Sequence, residues 1–212
     1  MIFKNRREAG KLLGEKLSAD RLGGGNTVVI GLLRGGIPVA YEIAAALKSP
    51  LDVALVRKIG APNQEELAIG AIVDGKSPKV YLNESLISRI NMPEGYLEYI
   101  EKIKLKEIRE REKIYRHKGE KISVVGKTAI IVDDGIATGA SVRVVIDAVK
   151  EEKPAKIIVA VPVIAADTLR ELKKTVDKVV VLSAPEEFYE DFSQTTDGEV
   201  IELLQKSRKT DL

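Results

Sequence analysis

The amino-acid sequence predicts an α/β protein, a mostly parallel central sheet with helices on both faces. Two observations carry that prediction. Unbroken apolar, β-branched runs alternate with segments of helical periodicity about ten to fifteen residues long, the pattern of buried strands joined by crossover helices. The second lies at residues 129–141, Ala-Ile-Ile-Val-Asp-Asp-Gly-Ile-Ala-Thr-Gly-Ala-Ser. There an apolar run ends in two adjacent carboxylates, and a loop of small and hydroxyl residues leads into a helical pattern. Ligands of open parallel sheets collect at the carboxyl ends of the strands, so this corner is where chemistry is expected.

The elements follow in order. Residues 5–19 carry Ala9, Leu12, Leu13 and Leu17 at helical spacing and open the chain as an amphipathic helix. Leu22-Gly-Gly-Gly-Asn26 is a turn, and Thr27 to Leu33 is a buried strand. Pro38 opens a helix to about Leu47, in keeping with proline in a first helical turn. Leu51 to Val56 is a second strand, and residues 58–70, without regular periodicity, read as a loop. Ile69 to Val73 and Lys79 to Leu82 form a hairpin around Asp74-Gly75.

Residues 94–118 form a long, highly charged helix with Tyr96, Ile100, Ile103, Ile108 and Tyr115 roughly along one face. Its charges alternate in sign, which suits a helix covering the sheet or an oligomer seam better than a nucleic-acid arm. His117, the one histidine of the chain, falls at its tail and reads as a surface residue. Next come a strand at 128–133, a helix at 140–152, a strand from Lys156 to Val163 and a helix at 165–174. A strand from Val176 to Leu182 and a last helix from about Asp197 complete the chain.

The 212 residues suit one domain, with or without a small cap. With 44% apolar and 31% charged residues and a net charge of +2, the chain advertises neither a nucleic-acid nor a membrane surface. The absence of cysteine excludes disulfides, thiolate metal sites and a cysteine nucleophile. No apolar run approaches the ~20 residues that span a bilayer, and the opening residues lack the apolar core of a signal peptide. A cytoplasmic location is expected.

Two loops carry the chemistry. After Val132, Gly135 and Gly139 let backbone approach a ligand, while Thr138 and Ser141 add hydroxyl donors. The helix start beyond them offers free N–H groups and a positive dipole end, an anion site. Carboxylates beside an anion site make sense when the ligand also carries hydroxyls, as a sugar phosphate does. A plain strand–turn–helix corner, or a Walker-B-like metal site, needs no such ordered set of two acids, two glycines, Thr and Ser. Earlier in the chain, Gly31-Leu-Leu-Arg-Gly-Gly-Ile-Pro38 fits neither a P-loop nor G-x-G-x-x-G. Arg34 ahead of two glycines is nevertheless a suitable anion clamp.

Residues 129–141 resemble the phosphoribosyl-pyrophosphate (PRPP) signature of the type I phosphoribosyltransferases. The resemblance implies that Asp133 and Asp134 accept the ribose hydroxyls, and that Gly135, Ile136, Ala137, Thr138, Gly139, Ala140 and Ser141 wrap the 5′-phosphate. Arg34, Gly35 and Gly36 resemble the family's pyrophosphate loop, which often holds a non-proline cis peptide. Arg57 and Lys58 would meet the pyrophosphate. The following stretch to Gly70 corresponds to a loop that closes over the reacting groups, with Glu65 and Glu66 as candidate base or amine partners.

The resemblance covers about residues 27–182. It leaves 1–26 and 183–212 as a cap or hood, and about 94–118 as an inserted helix, within one domain spanning 1–212. Arg57 to Gly70 and Asp191 to Val200 look most like a subgroup without a defined acceptor. Ala137 stands where the 6-oxopurine branch carries an aspartate, which argues against hypoxanthine or guanine handled in that way.

The activity implied is transfer of a 5-phosphoribosyl group between PRPP and a nitrogenous base with release of pyrophosphate. Mg²⁺ would be held mainly by PRPP and water, with no direct protein ligand. The expected partners are PRPP, a small-molecule base and a second copy of the chain in a homodimer, not a membrane or nucleic acid. Two other readings remain open: a PRPP- or nucleotide-sensing regulator without catalysis, and a hydrolase or phosphatase acting on sugar phosphates through the acid pair.

Overall fold

The computed structural model describes residues 2–20, 22–73, 79–116, 121–183 and 189–210. The chain opens with α1 (Arg6–Ser18), whose first turn is capped by Asn5: its Oδ1 accepts the Glu8 N–H at 3.1 Å. β1 (Thr27–Leu32), α2 (Gly36–Leu47) and β2 (Leu51–Ala54) follow. Next come β3 (Val56–Ala61), β4 (Gln64–Val73), β5 (Lys79–Leu82), the short α3 (Glu84–Ile87) and α4 (Tyr96–Arg116). The last third alternates strictly: β6 (Thr128–Val132), α5 (Ala140–Glu151), β7 (Lys156–Val163), α6 (Ala166–Leu172), β8 (Lys178–Ser183) and α7 (Asp197–Thr210).

Five strands form the central sheet in the order β2-β1-β6-β7-β8, each neighbouring pair parallel. The α/β expectation is met, and the register shows why these strands read as unbroken apolar runs. On one face Val29, Ile130, Val132, Ile158 and Ala160 pack with residues of α1, α2, α4 and α7. On the other, Val28, Ile30, Ala129, Ile131 and Val159 pack with α5. Both sides of every central strand are covered, so both alternating sets must be apolar.

The segment 58–70, expected to be a loop, is instead most of an antiparallel hairpin. β3 pairs with β4, and β4 with β5, to make a second, three-stranded sheet. The chain leaves the central sheet after Ala54, so the strand predicted through Val56 ends early. A Pro62-Asn63 turn closes the hairpin, with Asn63 at φ 59°. Register shifts between Ile59 and Gly60 and between Gly60 and Ala61 interrupt the two-residue alternation. A bulged strand with polar residues at its tip has no periodicity to read. The hairpin turn expected at Asp74-Gly75 and the position of His117 lie outside the described residues.

α4 covers this second sheet rather than the central one along its first half. Tyr96 and Ile100 pack with Ile59 and Ile69, and the Tyr96 hydroxyl donates to the Gly60 carbonyl at 2.9 Å. Its second half turns inward: Ile108 and Tyr115 join the main core. Arg116, only 2% exposed, anchors the end of α4 beside β2. Its Nε donates to Asp52 Oδ1 at 3.2 Å and its Nη2 to the Val53 carbonyl at 2.8 Å. Asp52 Oδ2 in turn accepts the Ile122 N–H at 2.9 Å, so the buried carboxylate has a donor on each oxygen.

Candidate functional site

The site forms where the loops after β1, β6 and β7 meet. Asp133 and Asp134 follow directly on β6, and Asp133 Oδ1 accepts the Asp134 N–H at 2.9 Å. The loop before α2 is pressed against them. A Cβ added to Gly35 would stand 2.0 Å from Asp134 Oδ2, and one on Gly36 would stand 2.7 Å from the Val132 carbonyl oxygen. Only glycine permits this approach, which brings the Arg34 loop and the acid pair into one site. The Leu33–Arg34 peptide bond there is cis, as the resemblance implies.

The loop that follows is pinned from below by the β7–α6 corner. Ile136 donates its N–H to the Val163 carbonyl and accepts from the Ala165 N–H, both at 3.0 Å. The Thr168 hydroxyl donates to the Ala137 carbonyl at 2.6 Å. Gly139 sits at φ 75°, and a Cβ there would stand 2.7 Å from Thr168 Cγ2. That left-handed residue turns the chain abruptly into α5, which begins with no side-chain cap and no acid in its first turn. The first N–H groups of α5 are left for solvent or a ligand. Residues 135–143 wall a cleft of about 600 Å³, completed by Asp133 and, from the second sheet side, by Lys58, Tyr81 and Asn83.

Charge is distributed unevenly over the pair. Burial, and then repulsion from Asp134, push the Asp133 carboxyl well above the usual carboxylate range. Asp134 is balanced by Arg6, whose Nε donates to its Oδ2 at 2.7 Å. The Tyr189 hydroxyl donates to the Asp134 carbonyl at 2.8 Å, and burial followed by the nearby acids raises that phenol.

Arg34, one-third exposed, lies 3.4 Å from Asp197 Oδ1 at the start of α7. Tyr115 donates to the same oxygen at 2.7 Å. That bond, more than Arg34, holds Asp197 below the usual carboxylate range, while burial and the acid push Tyr115 up to about 12.

The predicted residues divide accordingly. Asp133, Asp134, Gly35, Gly36 and the loop from Gly135 to Ser141 converge, and Lys58 reaches the cleft. Arg57 turns aside to Glu107 of α4, with Nε and Oε2 2.9 Å apart. Glu65 is exposed beyond the bulge of the β3–β4 hairpin. The sequence reading passed over Arg6, Tyr189 and Asp197, each brought in from outside residues 27–182. Only Asp197 lay in a stretch singled out for its resemblance.

An acid pair at a strand end, a glycine-lined approach and an uncapped helix start meet at the carboxyl edge of a parallel α/β sheet. The chain belongs to the family described as the phosphoribosyl transferase domain, whose profile matches residues 2–196. Two Mycobacterium tuberculosis proteins, each named "Putative phosphoribosyl transferase", are 36% identical over 214 residues and 98% of this chain. The chain spans about half of their length, 47%. The crystal structure of TT1426 from Thermus thermophilus is similar at a TM-score of 0.80 and 37% identity, covering 97% of this chain and 99% of that one. AQ2163 from Aquifex aeolicus shares the fold at a TM-score of 0.51 and 14% identity, over 94% of this chain and 84% of its own.

Proposed function

We propose that the protein transfers a 5-phosphoribosyl group from PRPP to a nitrogenous base and releases pyrophosphate. One observation carries the reading. Asp133, with Asp134 next to it in the chain, and an uncapped helix start adjoin a single cleft, separated only by the loop from Gly135 to Gly139. That spacing suits a ligand with hydroxyls at one end and a phosphate at the other.

In this reading the N–H groups and hydroxyls of Thr138 to Ser141 take the 5′-phosphate, and binding energy spent there positions the reacting carbon. Asp133 and Asp134 accept the ribose hydroxyls and place negative charge near the ring, where positive charge develops as the bond to pyrophosphate loosens. Lys58, which lines the cleft, and Arg34, at its neighbouring loop, are the cations for the departing pyrophosphate. Arg34 would exchange its Asp197 contact for that anion. The second sheet walls the cleft and can limit water at the cationic sugar centre.

Among the described residues no group of three or more Asp, Glu, His or Cys side chains makes a metal cage. The polyphosphate of PRPP and water would supply the hard oxygens that suit Mg²⁺, which when bound with PRPP would neutralise the leaving group.

The test is release of pyrophosphate from PRPP and Mg²⁺ across a panel of purine and pyrimidine bases. Release that depends on one base class supports the transferase and names its acceptor. Release at an equal rate with no base present would favour a hydrolase instead.

A further inference from the structure

We propose that Arg6 is a positioning residue of this site, fixing the Asp134 carboxylate beside Asp133 so that the acid pair is held in place for the ribose hydroxyls. The inference rests on the phosphoribosyl reading above. Asp134 needs an anchor. A carboxylate next to a second carboxylate is repelled by it, and an untethered Asp side chain spreads over several rotamers. Arg6 takes Oδ2 at 2.7 Å, and the Asp133 carboxyl is hydrogen-bonded to the same side chain, so the anchor acts on the pair.

The guanidinium is itself held in three directions. Its Nε is on Asp134, its Nη1 donates to the Ser193 carbonyl at 2.7 Å, and its flat face lies 4.0 Å from the centre of the Phe192 ring. Phe192 is stacked on Tyr189 at 5.1 Å, and Tyr189 holds the Asp134 carbonyl. The Arg6 side chain is only 11% exposed.

This is unlike an ordinary surface ion pair, which leaves two long side chains free and contributes little. Two segments far apart in the sequence build it. Phe3 bridges to Tyr189, and the N–H groups of Glu190 and Asp191 donate to the carbonyls of Phe3 and Lys4 at 2.8 and 3.0 Å. The brace brings one cation to Asp134, whose neighbour Asp133 lines the cleft, while Arg6 itself is not among the residues lining it. A group so placed acts through Asp134 and does not touch the substrate.

The experiment is calorimetric titration of PRPP, and separately of inorganic phosphate, into the wild type, Arg6→Met, Asp134→Asn and the double variant. Inorganic phosphate uses the helix start alone, so it reports whether the loop survives. The wild type is expected to bind both. Arg6→Met should weaken PRPP roughly tenfold to a hundredfold, by analogy with the range for outer-shell groups that orient metal ligands. It should leave phosphate within about twofold, and should cost nothing further in the Asp134→Asn background. Arg6→Lys, which keeps the charge and the fold but not the fork, should recover part of the loss.

Unchanged or tighter PRPP binding by Arg6→Met overturns the proposal, because the cation would then be idle or withholding the carboxylate. So does a parallel loss of PRPP and phosphate, which marks a brace of purely structural value, or full additivity with Asp134→Asn. A wild type that binds phosphate but not PRPP sinks the phosphoribosyl reading itself, and the proposal with it.

Discussion

Replacing both acids, Asp133→Asn with Asp134→Asn, is expected to lower turnover by about three orders of magnitude or more while the protein stays folded. The loss follows from removing two groups aimed at charge that develops only as the sugar bond breaks. Single preorganised groups of that kind are worth roughly a hundredfold to a thousandfold. The fold should survive because the hydrogen bond Asp133 makes, accepting the Asp134 N–H, is one that an asparagine oxygen also makes.

Stability should move the other way. Asp133 is driven upward in pKa by burial and by its acidic neighbour, so the folded protein holds that proton more tightly than the unfolded chain does. The contribution of this group is therefore fully present below the ordinary carboxylate range. It is lost as pH rises through the raised value of the folded state. At neutral pH Asp133→Asn should accordingly raise the melting temperature, and flatten the part of the stability–pH curve that falls over that window. A destabilised single variant would contradict this picture of a strained acid pair.

Gly35→Ala is the second large effect. Its new Cβ would stand 2.0 Å from Asp134 Oδ2, an oxygen already fixed on the other side by Arg6. Neither partner can yield without giving up the approach of the Arg34 loop to the acid pair. A cost of about 1–3 kcal/mol in stability is expected, the usual range for overpacking. PRPP affinity should fall by about tenfold or more, because displacement by even an ångström spoils a positioned group. Gly25→Ala is the control: nothing lies within 4 Å of its Cβ position, and stability should change by no more than about 0.5 kcal/mol. Equal effects at the two glycines, read by thermal melting and PRPP titration, would refute the clash.

The contrast between these residues explains how much was legible in the sequence. β6, the acid pair and α5 are contiguous, and each announces itself locally: an apolar run buried on both faces, two charges where it stops, small residues where the backbone must bend. The same holds for Gly35 and Gly36, although what they approach, Asp134 and Val132, lies about a hundred residues away.

Residues 58–70 failed to read as strands because register shifts at Gly60 break the alternation that betrays a strand. Arg57 has the residue type for an anion site, and type does not fix direction. One position separates it from Lys58, and successive strand residues face opposite ways, so Arg57 meets Glu107 while Lys58 meets the cleft. Arg6 carried no local signal at all. It stands in an ordinary polar first turn, and its partner is 128 residues along the chain. A contact of that kind is created by the fold and is visible only there.

The central claim, that one ligand bridges the acid pair and the start of α5, is tested most directly by a crystal structure of the protein with PRPP and Mg²⁺. The account predicts the 5′-phosphate within about 2.7–3.2 Å of the N–H groups of Thr138 to Ser141, with the ribose hydroxyls on Asp133 and Asp134. A sugar phosphate bound elsewhere, with the acid pair and that helix start both untouched, would contradict it.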